Sequence, residues 1–542
     1  MKKLLKIIAL LFLSLQTFSQ RMSPDHYWVP LIDKTHNSYS IDSPEEFLSD
    51  RAILRRQKAN ISIDESDLPV SDFYIDSLKS LGLKIKGSSK WENAVLIETT
   101  DSLLMDSLNY LDFVAMKNTD YGNFASETLD EQGNSSGFEN ASLFESDYGY
   151  ALPQIEIIGG IGLHELGFRG EGKLIAVLDG GFLNVDSLDY FNNLWENDRI
   201  IAYKDFVNPD GNLFKESYHG MSVLSTMSVN VPGLFIGMAP EASFVLLRTE
   251  DVPTETKVEE AYWLLAAEFA DSIGADIITT SLGYTIFDFP EMNYEWENLS
   301  GDNAFVTRAA ENAFSKGLIV VTSAGNEGDD PWEKITTPAD GNNVLAVGSI
   351  DTLGNVSEFS SRGLGGDNQV KPDVLAVGFQ TILVRSTGEL GTAYGTSFSS
   401  PQISGLAACL WQAMPDKTNL EIIEAIRESA NRFAYPDIDH GYGIPNFTLA
   451  LWILNKIETT ESRKDIQIYP NPFTDNLYIK AEKAIESITI YSLSGNQLYT
   501  NHSGWDAGEI IRIENSGIKY TGVYLLVTKN NKETIVSKIF KK

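Results

Sequence analysis

The segment Gly395-Thr396-Ser397-Phe398-Ser399-Ser400-Pro401 joins a glycine-containing turn to the apolar run 403–414, which is rich in small residues. This pattern predicts a helix that begins near Ser397. Free backbone N–H groups and the positive end of the helix dipole gather at such a position, where they would stabilise an alkoxide or an oxyanion. A serine before an apolar run most often only caps its helix. The choice between the two interpretations depends on whether the rest of the chain supplies a base, an acid and an oxyanion donor.

From about residue 151 onward, short apolar runs alternate with segments of helical spacing. Because these runs are apolar at nearly every position, they predict a parallel sheet covered by helices on both faces. We therefore expect a three-layer α/β domain whose ligand site lies beyond the carboxyl ends of the strands. The predicted strands are 173–178, 243–249, 276–280, 318–322 and 344–347, and the predicted helices are 257–273 and 303–315.

Three polar residues with neighbouring glycines stand where these apolar runs end or begin: Asp179, His219 and Asn326. An aspartate and a histidine could together supply a base, and an amide N–H could bind a developing oxyanion. Each residue alone is also a common turn residue. The other two histidines of this region, His164 and His440, are expected to be structural.

Taken in chain order, Asp179, His219, Asn326 and Ser397 and their local motifs resemble the subtilisin-like serine peptidases. Subtilisin has the same triad order of Asp, His and Ser. The resemblance covers about residues 150–455. The motif around Ser397 carries most weight, followed by His219-Gly220, Ser323-Ala324-Gly325-Asn326 and Ser281-Leu282-Gly283.

This resemblance implies a serine endopeptidase of the subtilisin-like fold. Ser397 would be the nucleophile, His219 its general base, and Asp179 the residue that orients the imidazole. The Asn326 side chain and the Ser397 backbone N–H would hold the oxyanion. The resemblance also implies substrate-binding segments after two of the strands, formed by Ser281, Leu282, Gly283, Ser323, Ala324 and Gly325.

Three residues depart from the family pattern. Gly180 follows Asp179 where the family usually has Thr or Ser, and Met221 stands where Thr usually follows His-Gly. Phe398 replaces the usual Met after the serine. None of these changes removes a reacting group, although Gly180 and Met221 are expected to alter the support of the aspartate and the histidine. Glu327, after the oxyanion asparagine, either favours basic substrate side chains or is a solvated surface carboxylate.

Two other functions are compatible with parts of this pattern. A catalytically weak or inactive binding protein could use the same subtilisin-like fold, but all four expected reacting residues are present. An esterase on an α/β-hydrolase fold requires a Gly-x-Ser-x-Gly elbow and the order Ser, Asp, His. Here Ser399 occupies the last glycine position and the order is Asp, His, Ser. A serine endopeptidase is therefore favoured over both.

Composition narrows the partners and cofactors. The formal net charge of −33 over 542 residues argues against nucleic acid as a partner. The single cysteine, Cys409, excludes a disulfide within the chain and is expected to be buried. The implied chemistry requires no cofactor. Many members of the family bind calcium, but Asp329-Asp330 belongs to no loop of diagnostic ligand spacing, so a structural calcium ion is left open.

Residues 1–145 are predicted to contain an export signal and a pro-segment. Residues 1–20 have the basic start, apolar stretch and cleavage region of a secretory signal. No other run approaches the roughly 20 apolar residues of a membrane span, so no transmembrane segment is expected. Residues 21–145 predict a small α+β pro-segment with a polar, acidic linker, or alternatively an accessory domain. Its predicted elements are strand 94–98, helix 101–110 and strand 113–116.

The boundary of the last domain is marked by charge. Residues 456–542 contain 12 Lys and Arg against 10 Asp and Glu, whereas the residues before them carry a net charge of −35. Short alternating strands with Gly and Asn turns predict a β-sandwich. The start Tyr469-Pro470-Asn471-Pro472-Phe473 and the basic end resemble the type A sorting domain of the type IX secretion system of Bacteroidetes. A carbohydrate-binding or adhesion module is the alternative.

The whole chain is thus interpreted as signal 1–20, pro-segment 21–145, peptidase domain 146–455 and sorting domain 456–542. The expected partners are protein or peptide substrates and the type IX secretion machinery. The expected location is outside the cell or on its surface, after export through the periplasm.

Overall fold

The computed structural model describes residues 20–115, 147–296, 299, 301, 303–364, 369–454, 466–471, 473–474, 476–492, 497–514, 518, 522–530 and 534–541. The predicted signal, apart from residue 20, and nearly all of the predicted linker lie outside these residues. The chain divides into two compact units. Among the described residues, 20–43 and 63–115 form the first unit, and 44–62 together with 147 onward form the second.

The first unit is a small α+β fold. Its antiparallel four-stranded sheet has the order β1-β2-β4-β3. Two helices cover the sheet with apolar side chains that include Leu78 and Met105, packed with Val95 and Ile97 of the sheet. The elements are β1 (Gln20–Arg21), β2 (His26–Pro30), α2 (Asp72–Ser80), β3 (Lys84–Ser89), β4 (Ala94–Glu98) and α3 (Ser102–Leu108); α1 (Asp50–Ala59) belongs to the second unit.

The predicted strand 94–98 is found with the same bounds, and the helix predicted over 101–110 is found over Ser102–Leu108. Asp101 accepts a hydrogen bond from the Leu103 N–H and so caps this helix. The strand predicted over 113–116 is wrong within the described residues. Only Val114 pairs there, through an isolated bridge to Leu31, and Met116 lies outside the described residues.

The second unit is built on a seven-stranded sheet of order β15-β12-β11-β10-β5-β9-β6, in which all neighbours are parallel. The strand order reverses beside β5, since β9 lies on one side of it and β10 on the other. A ligand cleft is expected at such a point, beyond the carboxyl ends. The strands are β5 (Leu174–Asp179), β6 (Ile200–Asp205), β9 (Ser243–Arg248), β10 (Ile277–Thr280), β11 (Ile319–Ser323), β12 (Leu345–Ile350) and β15 (Val374–Val377).

Helices cover both faces of this sheet, as the sequence predicts. One face packs mainly on the long helix α10, and the other packs on α8 and α9. Strand residues such as Val177 and Val321 share a fully buried cluster with Leu406 and Leu410 of α10. The helices are α4 (Leu152–Glu156), α5 (Ile161–Glu165), α6 (Asn192–Glu196), α7 (His219–Ser228), α8 (Val258–Ile273), α9 (Phe305–Ser315), α10 (Thr396–Ala413), α11 (Asn419–Glu428) and α12 (Phe447–Leu454).

Three short antiparallel pairs complete the α/β region: β7 (Asn230–Val231) with β8 (Phe235–Ile236), β13 (Gly363–Leu364) with β14 (Val370–Lys371), and β16 (Thr381–Val384) with β17 (Leu390–Ala393). Cys409 lies inside α10, is fully buried as predicted, and donates to the Met238 carbonyl at 3.2 Å. Burial raises the pKa of its thiol. His164, predicted to be structural, is buried beside it and contacts the same carbonyl at 3.0 Å.

The C-terminal region is a sandwich of two antiparallel sheets, of orders β18-β19-β22 and β21-β20-β23-β24. Ile479 and Ile513 of the first sheet share one buried cluster with Ile490 and Leu526 of the second. The strands are β18 (Ile466–Tyr469), β19 (Asn476–Ala481), β20 (Ser487–Ser492), β21 (Gln497–Asn501), β22 (Ile510–Glu514), β23 (Gly522–Lys529) and β24 (Thr534–Lys541). Residues 455–465, where the predicted boundary falls, lie outside the described residues. Within the described ranges, no helix has both the length and the apolar composition of a bilayer-spanning segment.

The packing of α10 on the sheet predicts a large cost for truncating Leu406. This side chain is fully buried. We expect Leu406→Ala to lower the free energy of unfolding of the second unit by about 2–5 kcal/mol, because it removes apolar contacts and leaves a cavity. Urea transitions followed by tryptophan fluorescence, in a Ser397→Ala background, measure this change. The control Leu353→Ala, at a leucine that is 86% exposed, should change it by less than about 0.5 kcal/mol. Equal effects of the two substitutions would contradict the described packing.

Candidate active site

Asp179 and His219 are brought together at the carboxyl edge of the parallel sheet. Asp179 is the last residue of β5, fully buried, and His219 is the first residue of α7. The His219 Nδ1 atom lies 2.9 Å and 3.0 Å from the two Asp179 carboxylate oxygens. The Gly180 N–H also donates to Asp179 at 2.8 Å. These contacts compensate the buried carboxylate and orient the imidazole.

The approach of α7 to β5 depends on Gly220. A Cβ atom at this position would lie 2.5 Å from the Gly181 carbonyl oxygen and 2.8 Å from the Asp179 Cβ. Any side chain would therefore push the helix start away from the strand end. The backbone of His219 is held further by the Ser217 hydroxyl, which accepts its N–H at 3.2 Å. The glycine after the histidine is thus required for the contact between His219 and Asp179.

Ser397 lies in the first turn of α10, whose N-cap residue is Gly395. The simple cap interpretation of Ser397 is therefore wrong, since the serine is the second residue of the helix rather than the residue before it. Its hydroxyl donates to the Ser281 carbonyl at 3.3 Å, and its residue as a whole is 8% exposed. The neighbouring Phe398 ring lies 5.6 Å from the His219 ring, which places the start of α10 beside the histidine.

Pro401 explains how the strand β10 is joined to this helix. Proline has no N–H, so the Ser397 carbonyl cannot receive the usual helical bond from the residue four positions later. The Ser281 hydroxyl donates to that carbonyl instead, at 2.7 Å. Ser281 and Ser397 are consequently linked in both directions, which fixes the helix start against the end of β10.

Asn326 is fixed beside the same helix start. Its side-chain carbonyl accepts both the backbone N–H and the hydroxyl of Thr396, each at 2.9 Å. Because the oxygen is engaged in this way, the side-chain NH₂ group remains as the donor of the amide. The residue itself is exposed, which is compatible with an amide that faces an open cleft.

The two predicted substrate-binding segments differ in their free backbone groups. Residues 281–283 continue beyond Thr280, the last paired residue of β10. In contrast, Ala324 donates its N–H to Val347 and accepts from Thr336, at 2.9 Å and 3.1 Å. The Ala324 backbone is thus paired within the protein, whereas residues 281–283 lie beyond the paired part of β10.

The three departures from the family pattern occupy defined positions. A Cβ atom on Gly180 would lie 2.9 Å from a Val252 methyl group, so the segment after β9 occupies the space of the usual Thr or Ser side chain. Met221 is fully buried in the apolar core beside the site. Phe398, 6% exposed, packs beside the His219 ring. In this protein, the Gly180 N–H contacts the Asp179 carboxylate and Val252 fills the space beside Gly180.

Arg248, at the end of β9, is a buried support that the sequence reasoning missed. Its Nε donates to the Gly180 carbonyl at 3.2 Å, and its Nη1 pairs with Asp205 at 3.1 Å. The other Nη lies 3.5 Å from Glu216 and 3.7 Å from Asp251. This guanidinium ties the turn after Asp179 to the segment that leads into His219. The predicted strand 243–249 contained it, but an arginine inside an apolar run gives no sign of its partners.

Glu250 is a second residue near Asp179 that the sequence analysis did not identify. It follows β9, the strand beside β5. Its carboxylate is buried and accepts the Tyr284 hydroxyl at 2.6 Å and the Thr249 hydroxyl at 3.0 Å. The pKa of Glu250 is raised to about 7, mainly by burial; the Tyr284 and Thr249 hydroxyls lower it, the charge of Asp179 raises it and that of His219 lowers it. The pKa of nearby Glu259 is also raised, first by burial and then by Glu250. A carboxyl group directly after a strand adjacent to β5 was a signal that could have been used.

Glu327 is not the solvated surface carboxylate of one sequence-based interpretation. Its carboxylate accepts the Ser361 hydroxyl at 2.7 Å and lies where a side chain on Gly325 would have to go. Burial raises the pKa of Glu327. The Glu327 carboxylate is therefore half-buried between Ser361 and the turn at Gly325.

Metal ligation was left open by the sequence. Among the residues that the structure describes, no group of three or more His, Cys, Asp or Glu side chains is arranged to hold a metal ion. Asp330 instead accepts the Trp332 N–H at 2.8 Å.

Comparison with known proteins assigns each part of the chain. Residues 170–444 match the subtilase family, residues 26–136 match the peptidase S8 propeptide domain of Bacteroidota, and residues 467–542 match a secretion system C-terminal sorting domain. Serine protease AprX of Bacillus subtilis is 28% identical over 51% of this chain and 65% of its own. The major intracellular serine protease of the same organism is 30% identical over 48% of this chain and 75% of its own. Subtilisin E of Bacillus subtilis is 27% identical over 58% of this chain and 78% of its own.

A crystal structure of MycP1 with the N-terminal propeptide removed aligns with 56% of this chain and 98% of its own, at 25% identity and a TM-score of 0.44.

The chain belongs to the subtilase family and is a serine-type endopeptidase. The propeptide match resolves the open question about the N-terminal part in favour of a pro-segment. The sorting-domain match implies export to the cell surface or the medium. It also favours a sorting domain over a carbohydrate-binding or adhesion module for residues 467–542. The subtilisin-like fold with a propeptide and a C-terminal strand-rich domain is confirmed.

The raised pKa of Glu250 predicts that the free energy of unfolding falls as the pH rises. The folded protein holds this proton more tightly than the unfolded chain, whose ordinary value is 4.5. The stabilisation is complete below about pH 4.5 and is lost as the pH rises through about 7. Glu250→Gln cannot ionise and keeps an acceptor for Tyr284. Between pH 4.5 and 8 its stability relative to the parent should therefore rise, by about 3 kcal/mol at most.

Urea transitions of both proteins across this pH range, in a Ser397→Ala background, provide the measurement. The exposed control Glu424→Gln should leave the pH profile of the parent unchanged. Parallel profiles for Glu250→Gln and its parent would show that Glu250 is ionised throughout and would refute the prediction.

Proposed function

We propose that this chain is an exported endopeptidase that hydrolyses peptide bonds through Asp179, His219 and Ser397, with Asn326 and the Ser397 N–H as the oxyanion hole. The observation that supports this most directly is the Asp179–His219 contact of 2.9 Å beside a helix start that carries Ser397. The contacts from the Asn326 oxygen to Thr396 add to this support, because they leave the amide NH₂ as a donor next to the serine.

In the proposed reaction, the Ser397 hydroxyl exchanges its long bond to the Ser281 carbonyl for one to His219. Serine Oγ then attacks the substrate carbonyl carbon while its proton passes to the imidazole. Asp179 stabilises the imidazolium, and the Asn326 amide and the Ser397 N–H bind the oxyanion. The intermediate collapses as the leaving amine takes the proton from His219. A water molecule, activated by the same base, then releases the acid and restores the serine.

Substrate binding is assigned to two segments with different tasks. The backbone of residues 281–283 would pair with an extended peptide, as its position beyond β10 favours. Residues 323–325 would form a wall of the pocket for the side chain before the cleaved bond. Because the Glu327 carboxylate is bonded to Ser361, it supports that wall and does not present a charge to a basic substrate side chain.

The C-terminal domain would be recognised by the type IX secretion machinery. This proposal follows from the sorting-domain match and from the sequence resemblance at Tyr469-Pro470-Asn471-Pro472-Phe473. Residue 472 lies outside the described residues.

Ser397→Ala should abolish peptide hydrolysis and self-cleavage of the pro-segment while leaving the fold intact, because the hydroxyl is the proposed nucleophile. A fluorophosphonate probe should label the unaltered protein and fail to label Ser397→Ala or His219→Ala. Ser399→Ala is the matched control: its hydroxyl is buried in the same helix without a hydrogen-bond partner and should be dispensable. Normal processing of Ser397→Ala, or labelling that survives the loss of His219, would refute the assignment and favour the inactive binding protein.

Asn326→Ala should lower kcat while KM stays nearly constant, because the Asn326 NH₂ group is proposed to bind the substrate oxygen only as its negative charge develops. The expected loss is roughly 10²–10³-fold, the range found for an oxyanion-hole asparagine in subtilisin itself. Steady-state kinetics on a chromogenic peptide measure both constants. A change confined to KM would place Asn326 in ground-state binding and contradict its proposed role.

A further inference from the structure

Helix α1 belongs to the propeptide match by sequence but to the peptidase unit by structure. Residues 44–62 fall inside the matched range 26–136, yet they group with the second unit and not with residues 20–43 and 63–115. The helix packs on the end of α8 and beside the residues that precede β5, β10 and β11. This is the amino edge of the parallel sheet, opposite the edge that carries Asp179 and Ser397.

Two buried arginines hold this helix on one carboxylate. Arg55 donates to one Asp271 oxygen at 2.5 Å and Arg56 donates to the other at 2.9 Å. The side chains of Arg55, Arg56 and Asp271 are 6%, 1% and 0% exposed. Charge-assisted guanidinium–carboxylate bonds that are shielded from water in this way are strong and geometrically specific.

Arg55 also closes the ends of two helices. Its Nη2 donates to the Asp271 carbonyl at 3.3 Å and its Nη1 to the Ala275 carbonyl, both at the end of α8. Its Nε donates to the carbonyl of Lys316, the C-cap residue of α9, at 3.2 Å. Carbonyl groups at helix C-termini lack helical partners and carry the negative end of the dipole. A guanidinium between two such ends is therefore favoured both by hydrogen bonding and by charge.

The surface under α1 is shaped for close contact. Gly274 ends α8 with φ at +87°, and a Cβ atom there would lie 2.3 Å from the Arg51 Cβ. The helix backbone therefore reaches the turn only because this residue is glycine. The Ser49 N–H donates to the Ser272 carbonyl at 2.8 Å.

A third arginine extends the contact to the starts of two strands. Arg51 pairs with Asp276 at 2.7 Å and donates to the Gly172 carbonyl at 3.2 Å. The same Asp276 oxygen accepts the Leu174 N–H at 2.9 Å, so this carboxylate joins α1 to the first residue of β5.

We propose that residues 44–62 are a lasting structural part of the peptidase rather than a removable portion of its pro-segment. The face formed by Asp271, Gly274, Asp276 and Lys316 is their docking surface. After the chain is cut in the linker 116–145, this surface keeps the N-terminal fragment bound through Arg55 and Arg56. This docking surface for residues 44–62 lies at the amino edge of the sheet, opposite the edge that carries Ser397.

The test uses the full exported chain with Ser397→Ala and a recognition sequence for an unrelated specific protease inserted in the linker. The added protease makes the cut, so the measurement of fragment binding does not require the chain to cleave itself. After cutting, native mass spectrometry and size exclusion should show the two fragments together. Adding Arg55→Gln and Arg56→Gln should raise their dissociation constant by tenfold or more, on the order of the effect of losing buried arginines from an interface.

The matched control is Lys79→Gln with Lys84→Gln, which removes the same charge from exposed positions of the same fragment. It should leave the dissociation constant unchanged. If the double arginine variant binds as tightly as the control, the fragment is held elsewhere and the proposal is refuted.

A second measurement needs no arginine variant and so is independent of whether that variant folds. Hydrogen exchange of the α1 amides in the cut Ser397→Ala chain should be as slow as in the uncut chain. Exchange that accelerates after the cut to the rate of the separated fragment would show that α1 has left its surface and would overturn the proposal.

Discussion

The parallel register of β5 with its two neighbours is the constraint on which the reactive edge depends. Asp179 lies level with Arg248 of β9, and Leu178 lies level with Thr280 of β10. Each strand consequently ends at the same height, so Arg248 reaches the turn after Asp179 and Ser281 reaches the start of α10. A slip of one residue would turn Asp179 to the other face of the sheet.

The common direction of strands and helices gives the sheet two chemically different edges. At the carboxyl edge, α7 and α10 begin, and their free N–H groups favour a forming anion. At the amino edge, α8 and α9 end, and their carbonyl groups receive Arg55 of α1. The direction of the helix dipoles thus favours the proposed oxyanion at one edge and the guanidinium of Arg55 at the other.

The features that could be predicted from the sequence were those that a short segment expresses by itself. The apolar strands, the glycine after His219 and the small-residue motif around Ser397 each lie within a few neighbouring residues. The sheet was anticipated from the strands, and the Asp179–His219 contact from the family resemblance of the motifs. Arg248 and Glu250 were missed because their partners are distant in the chain. The grouping of α1 with the peptidase was hidden for the same reason, since Asp271 lies more than two hundred residues after Arg55.

The single thiol of the chain, at Cys409, has a consequence for export of the protein. It is enclosed within α10, contacts the Met238 carbonyl, and is the only cysteine of the whole sequence. A chain with a single thiol cannot form a disulfide within itself in an oxidising compartment, whether it is folded or unfolded. Once folded, the thiol is sheltered from oxidants, so its accessibility distinguishes the compact molecule from every opened form.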